Sequence, residues 1–312
     1  MVVKDKPYLF IAIAAIFWSV QGVLGKFLGT DLAPMQTAFA RIFVGFLLIF
    51  AFTFIRHREE LRIDTSDMFK LAIMGIVCQS GTSMFFFHSV SQTSVAAATA
   101  LMYTAPIFAI FISRMVFGEK ITPLKLLAVA VCSVGVFLTV TMGDVGVLTG
   151  SVVGVLSGLG AGIVYSLNSI IGKSIMRKCS NWAVLTYSFG FGSLFMAPFC
   201  DPIGIVPMLA KPNVVIGIIL MGLLPTFCAF GFYFTGIAKG AQPSKLGIVA
   251  TLEAALAVIW AALLFGEPMG LIRVLGILGI FAAVYILYIE NARAAKATGV
   301  AAVVADVGQA QV

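Results

Sequence analysis

The chain has 312 residues, of which 61% are hydrophobic and 11% are charged, and its mean hydropathy is +1.08. Soluble domains carry roughly 25% charged residues. The composition therefore excludes an ordinary soluble protein and predicts a membrane protein with several spans. The net charge of +7 does not indicate nucleic-acid binding, because the lysines and arginines are scattered over the loops and form no basic face.

Ten apolar segments follow one another along the chain. At about 1.5 Å rise per residue, each is long enough to cross most or all of a hydrocarbon core of ~30 Å. No small-residue cleavage site follows the first segment, so we expect it to be retained as a helix and not removed as a signal peptide. The ten segments are expected at about 8 to 28, 34 to 55, 68 to 90, 94 to 116, 122 to 141, 150 to 172, 181 to 199, 213 to 236, 244 to 265 and 270 to 290.

The distribution of basic residues predicts the orientation. If the N-terminus is inside, the inner loops and both tails carry sixteen of the twenty lysines and arginines. Cytoplasmic loops of membrane proteins carry such an excess. We therefore expect both termini to be cytoplasmic and the protein to lie in the plasma (inner) membrane.

The two halves of the chain repeat. Residues 18–26, Trp-Ser-Val-Gln-Gly-Val-Leu-Gly-Lys, align at an offset of 147 with residues 165–173, Tyr-Ser-Leu-Asn-Ser-Ile-Ile-Gly-Lys. Phe-Gly-Glu at 117–119 recurs at 265–267. Because each repeat holds five spans, an odd number, the second must be inverted relative to the first. The prediction is an all-α membrane protein of ten transmembrane helices in two inverted five-helix repeats, at 1–142 and 143–291, with a cytoplasmic tail at 292–312.

The ninth segment contains a single acid, Glu253, within an apolar run from Leu246 to Phe265. A charge near the middle of the membrane costs from ~3 kcal/mol on insertion scales to more than ~10 in simulations, so such groups usually face a polar cavity and serve a pathway. The hypothesis is that Glu253 takes up and releases a proton or pairs with a cationic substrate. The alternative is a protonated carboxyl group that only hydrogen-bonds a neighbouring helix.

Each repeat also presents an aromatic residue and an amide on one helical stripe. The pairs are Trp18 with Gln21 in the first segment and Tyr165 with Asn168 in the sixth. An amide in lipid is costly unless it is hydrogen-bonded, and in membrane proteins built from inverted repeats the binding sites of carriers lie where the repeats meet. These side chains are therefore candidates for substrate binding, with polar packing between helices as the alternative.

Further polar side chains complete the candidate set: Gln79, Ser83, Tyr103 and Tyr233. Pro106 frees the carbonyl of Met102, which either kinks the helix or also offers an oxygen to a solute. Arg41 lies about seven residues inside the second segment. It either snorkels or forms a structural hydrogen bond, or it pairs with a substrate carboxylate or with Glu253.

Together these features resemble the drug/metabolite transporter superfamily, in particular its EamA-type ten-helix members, over about residues 7 to 290. The resemblance rests on the paired repeats, the run at 18–26, Arg41, Pro106, Glu253 and the two Phe-Gly-Glu turns. Many relatives have Glu-Pro in the ninth span, whereas Glu253 is followed by Ala254. The resemblance implies a central cavity surrounded by spans 1, 3, 4, 6, 8 and 9, and amino acids, metabolites or amphipathic drugs as substrates.

The resulting expectation is a secondary active transporter, not an enzyme, that exports a small organic solute by alternating access with proton coupling through Glu253. No Gly-x-x-x-x-Gly-Lys-Ser/Thr loop is present, so ATP is not the direct energy source. We expect no cofactor or metal, and the lipid bilayer, a small-molecule substrate and protons as partners. The alternatives are a sugar-nucleotide or other metabolite antiporter, which would favour more basic residues than Arg41, a channel, or an intramembrane enzyme, which would need more than one acid.

Overall fold

The structure is a computed structural model that describes residues 7–29, 31–148 and 151–309, without the side chains of Val147 and of residues 294–309. In this part of the chain ten helices are long and apolar enough to cross a membrane, which confirms the predicted number. The helices are α1 (Pro7–Leu28), α2 (Pro34–Arg56), α3 (Thr65–Gln92), α4 (Val95–Phe117), α5 (Pro123–Thr141), α6 (Val152–Ile175), α7 (Asn181–Phe199), α8 (Pro212–Ala238), α9 (Pro243–Phe265) and α10 (Leu271–Arg293). The last helix continues to Gln309, and short helices lie in the connections at Arg58–Leu61, Val145–Leu148, Pro202–Ile205 and Val206–Ala210.

The two five-helix repeats run in opposite senses across the bundle, as predicted. At one face the N–H of Gln242, just before α9, donates to the hydroxyl of Tyr8 at the start of α1, at 3.3 Å. At the same face Lys173, at the end of α6, pairs with Glu119, which follows α4. Since α1 begins and α6 ends there, the first helices of the two repeats are antiparallel. We call this face the terminal face and the opposite one the distal face.

Six of the helices form two bundles that face each other. Helices α3, α4 and α6 pack together in the first bundle, and helices α8, α9 and α1 pack together in the second. We call them the 3-4-6 bundle and the 1-8-9 bundle. The same six helices are the ones that the family resemblance placed around a cavity. The pairs α2 with α7 and α5 with α10 connect the two bundles.

Helices α5 and α10 pack backbone against backbone. A Cβ atom at Gly135 would lie 2.9 Å from the carbonyl oxygen of Gly276 and 2.9 Å from the backbone nitrogen of Ile280. Such an approach is possible only for glycine, because neither backbone atom can rotate away. Small residues permit this close association where no hydrophobic effect acts between helices.

Two interruptions recur in repeat-related helices. Helix α3 widens into a π-helical turn at Gly75–Gly81, and α8 does the same at Leu223–Cys228, 148 residues later. Helix α4 is interrupted between Met102 and Ala105, and α9 is interrupted at Thr251. These breaks lie near the middle of the bundle, where interrupted backbone is tolerated only if it is buried in protein or lines a cavity.

The interruption of α9 needs no proline. The hydroxyl of Thr251 donates to the carbonyl of Ile248 at 2.6 Å and contacts the thiol of Cys132 on α5 at 3.1 Å. A hydroxyl that bonds the preceding turn bends a helix in the same place as a proline. The Ala254 that replaces the family's usual proline therefore leaves the break beside Glu253 intact.

Candidate functional site

The two bundles touch at the terminal face and separate toward the distal face. The first half of α9, Pro243–Ala250, packs against the second half of α4, Ala105–Phe117, and a Cβ atom at Gly247 would lie 3.2 Å from Pro106. The repeat-equivalent pair, Val95–Met102 with Leu252–Phe265, makes no comparable contact in the part of the chain that the structure describes. The two bundles are therefore packed together on the terminal side of the helix interruptions and separated on the distal side, and we call the space between them on the distal side the cleft.

Glu253 lies at the bottom of this cleft. It occupies the first turn after the interruption of α9 and is half-buried. Its carboxylate and the hydroxyl of Tyr103, in the interruption of α4, lie within hydrogen-bonding reach of each other. Because Tyr103 belongs to the 3-4-6 bundle and Glu253 to the 1-8-9 bundle, this contact joins the two bundles where their close packing ends.

Arg41 and Tyr165 approach Glu253 from two further helices. A guanidinium nitrogen of Arg41, on α2, donates to the hydroxyl of Thr226 in the π-helical turn of α8, at 3.4 Å. The positive charge of Arg41 acts on Glu253, although the two groups make no direct ion pair. Tyr165, on α6, is half-buried and lies within the electrostatic field of Glu253. Arg41, Glu253 and two tyrosines therefore lie near one another beside the helix interruptions.

Two buried amides carry an atom without a hydrogen-bond partner. Among the described residues these atoms include Nε2 of Gln79, in the π-helical turn of α3, and Oδ1 of Asn168, on α6. Ser83, one turn after Gln79, donates its hydroxyl to the Gln79 carbonyl at 3.3 Å and not to the amide side chain. Buried polar atoms are nearly always paired, so the two amides are candidates to bind a solute during transport.

Trp18 and Tyr233 are buried and pack against each other. Trp18 is 5% exposed and packs on the rings of Phe230 and Tyr233, with centroid distances of 5.1 and 5.2 Å. The hydroxyl of Tyr233 lies close to that of Ser169 on α6, so the two bundles meet here on the terminal side. Gln21 is half-buried and follows an interruption of α1 at Val20, so it and Trp18 do not lie on one continuous helix.

Two ion pairs at opposite faces are related by the repeat, and the sequence interpretation missed them. Lys26 pairs with Glu267 at the distal face and lies 4.3 Å from the ring centroid of Phe265. Lys173 pairs with Glu119 at 3.4 Å at the terminal face and lies 4.9 Å from the ring centroid of Phe117. The hydrogen bond from Lys26 lowers the pKa of Glu267. In each pair the lysine ends one of the repeated runs at 18–26 and 165–173, and the glutamate ends one of the two Phe-Gly-Glu turns. The joint recurrence of these two motifs was the feature of the sequence from which the ion pairs could have been predicted.

The sequence pattern of the EamA-like transporter family matches residues 5–141 and again residues 152–289. The chain belongs to the EamA-like transporter family. The ten helices and this membership together show a multi-pass membrane transporter. Its partners are the lipid bilayer and a small-molecule substrate.

Relatives of this EamA-like transporter cover almost its whole length. It is 27% identical over 283 residues to an uncharacterized transporter of Archaeoglobus fulgidus, a match that covers 90% of this chain and 95% of the relative. It is 22% identical over 300 residues to the uncharacterized inner membrane transporter YicL of Salmonella typhimurium, covering 94% and 98% of the two chains. A solved crystal structure superposes with a TM-score of 0.73 over 91% of this chain and 97% of the other at 16% identity, which shows a shared fold.

Proposed function

We propose that this protein is a secondary active transporter that exports small organic solutes by alternating access, with proton coupling through Glu253. The close approach of Glu253 and Tyr103, which belong to opposite bundles, is the observation that supports this function best. A carboxylate can accept a hydrogen bond from the hydroxyl of Tyr103 through either oxygen, whereas a protonated carboxyl group also offers a donor of its own. Proton binding at Glu253 would therefore change a contact between the two bundles, which is what coupling requires.

We further propose that the terminal face is cytoplasmic, which makes the structure an outward-open state. The excess of lysine and arginine at this face supports the assignment. In an inverted repeat, the inward-open state arises when the two repeats exchange their conformations. The cleft would then close above Glu253 on the distal side and open at the contact between α9 and α4.

The charges in the cleft favour a solute that bears both an amine and a carboxylate. Arg41 offers a cation and Glu253 an anion, and the two groups are not paired with each other. Tyr103 and Tyr165 provide ring surface beside them, which suits an apolar or aromatic body. We therefore propose amino-acid-like solutes as the first substrate class, ahead of purely cationic drugs, which need only Glu253. Sugar nucleotides would require more cations for their phosphates than Arg41 provides.

The test is transport in proteoliposomes loaded with labelled amino acids, with an imposed pH gradient as the energy source. We expect gradient-driven efflux from the parent protein and none above background from Glu253→Gln. Glu59→Gln is the matched control, because Glu59 is an exposed carboxylate in the connection after α2, outside the cleft. Undiminished gradient-driven transport by Glu253→Gln would remove this acid from the mechanism. Flux that ignores the gradient in every variant would favour a channel.

A further inference from the structure

We propose that Glu119 and Ser244 form the gate at the terminal face, whose separation admits solvent and solute from that side. The inference rests on the alternating-access function proposed above and assigns the residues that hold the closed side shut. Neither residue touches the cleft. The geometry of Glu119, the dryness of its surroundings and a difference between the two repeats support it independently.

Glu119 bridges the two bundles. It follows α4, and Lys173 of α6 holds one of its carboxylate oxygens at 3.4 Å, so this contact stays within the 3-4-6 bundle. The other oxygen accepts hydrogen bonds from the hydroxyl of Ser244 and, at 3.4 Å, from its backbone N–H. Ser244 is at the start of α9, in the 1-8-9 bundle. Glu119 thus belongs to one bundle and is hydrogen-bonded to the other.

The contact is buried among charges that reinforce it. Ser244 is 1% exposed, and Lys125 of α5 donates to its hydroxyl at 3.1 Å. The hydroxyl therefore accepts from a cation and donates to a carboxylate, an arrangement in which each hydrogen bond polarises the other. Next to it, Lys245 pairs with Glu290 of α10. Bonds of this kind are strong in a dry site, so their formation stabilises closure of this face.

The distal face has the same anchor but lacks the bridge. Glu267, the repeat counterpart of Glu119, pairs with Lys26 and approaches Arg273 at 3.5 Å. At an offset of 148, the counterpart of Ser244 is Ala96, which has no hydroxyl. The two halves therefore differ by one hydrogen-bonding group at the place where each face closes. This difference agrees with a structure that is closed at the terminal face and open at the distal face.

Removal of the bridge should shift the population toward opening at the terminal face. Ser244→Ala removes the hydroxyl but leaves the anchor between Lys173 and Glu119 in place, so it isolates the contact between the bundles. Glu119→Gln removes the charge from both contacts. Glu267→Gln removes the equivalent charge at the distal face and is the matched control.

The experiment measures distances across the terminal face in lipid bilayers by pulsed electron paramagnetic resonance. Spin labels are placed by Lys120→Cys, after α4, and Lys239→Cys, after α8, both exposed positions on opposite bundles. The parent chain, treated with the same spin label, measures the background from the native cysteines. All five are free thiols, and four of them are buried. In the labelled chain without further substitutions we expect a single short distance between the spin labels. Ser244→Ala and Glu119→Gln should add a population of molecules with a longer distance, and Glu267→Gln should not.

Unchanged distances in both Ser244→Ala and Glu119→Gln would overturn the gate. An equally large population with a longer label-to-label distance in Glu267→Gln would also overturn it, because the effect would then result from a general loosening of the bundle. Such a failure would leave the transport proposal standing, since Glu253-dependent flux is measured separately. Conversely, a gate that opens as expected in a protein without gradient-driven flux would support the gate and refute the proposed coupling.

Discussion

Tyr103 lies in the interruption of α4, Glu253 follows the interruption of α9, and the contact between their side chains joins the two bundles of the transporter. On the terminal side of this contact the bundles are packed together, and on the distal side they are apart. A single polar contact therefore marks the boundary between the closed and the open half of the structure. Its removal should affect coupling more than stability.

Tyr103→Phe should reduce gradient-driven transport by roughly tenfold or more, because a hydrogen bond to a charged group contributes about 1.5–3 kcal/mol. Tyr187→Phe is the control: its hydroxyl donates to the carbonyl of Leu61 at 2.7 Å, away from the cleft. The measurement is initial efflux from proteoliposomes with equal amounts of inserted protein. Equal rates for Tyr103→Phe and the parent would separate this bond from the transport cycle.

Arg41→Gln should raise the KM for zwitterionic solutes by at least about tenfold and leave cationic solutes of similar size little changed. The reason is that a guanidinium pairs with a substrate carboxylate through charge-assisted hydrogen bonds, and a neutral amide does not. The test compares an amino acid with the corresponding amine, which lacks the carboxylate. An equal loss for both compounds would assign Arg41 to the support of Thr226 alone.

The cleft makes a prediction about accessibility from the distal face. A membrane-impermeant thiol reagent added at that face should label Tyr165→Cys and should not label Asn168→Cys, three residues further along α6. Tyr165 is half-buried at the cleft, whereas Asn168 is 4% exposed. The parent chain reports the background from native cysteines. Labelling of both positions at the same rate would place the closed contact elsewhere.

Gly135→Ala should destabilise the protein by about 1–3 kcal/mol, the usual cost of overpacking. The added methyl group would meet backbone atoms of α10 that cannot move without shifting the helix. Gly22→Ala is the matched control in α1, because a Cβ atom there meets nothing within 4 Å. Thermal unfolding in detergent distinguishes the two. A Gly135→Ala protein as stable as the control would contradict the close packing of α5 and α10.

The ion pair between Lys26 and Glu267 should stabilise the protein in a pH-dependent way. Because Lys26 lowers the pKa of Glu267 from its ordinary value of 4.5, the folded state binds this proton less readily than the unfolded state. The contribution is therefore present above that ordinary value and is lost as the pH falls through the folded-state pKa. For a partly exposed pair we expect about 0.5 kcal/mol. The stability difference between the parent and Glu267→Gln should shrink toward zero between pH 7 and pH 3.

The number of helices and their inverted arrangement could be predicted because both depend on local and repeated features. The mean hydropathy of a segment long enough to cross the bilayer identifies a transmembrane helix, and this needs no knowledge of the helices that pack against it. The recurrence of Phe-Gly-Glu at 117–119 and 265–267, with five spans in each half, then requires the inversion. Glu253 was equally accessible to this reasoning, since a lone acid in an apolar run is costly wherever it lies.

Which face of each helix packs against its neighbours could not be predicted in the same way. Trp18 and Gln21 were placed on one stripe of a continuous helix, but α1 is interrupted at Val20 between them. The break of α9 without a proline depends on the bond that Thr251 makes within the folded helix, supported by Cys132 from α5. Helix periodicity assumes regular backbone, and these sites lie where it is irregular.

The amino-acid sequence by itself determined that this protein crosses the membrane ten times as two opposed repeats and that one acid lies within the bilayer, because bilayer thickness and the cost of charge act on each segment separately. Only the tertiary structure decided which side of the cleft is closed, that Tyr103 meets Glu253, and that Glu119 reaches Ser244. Those contacts join residues from different bundles, and their existence depends on how the halves pack against each other.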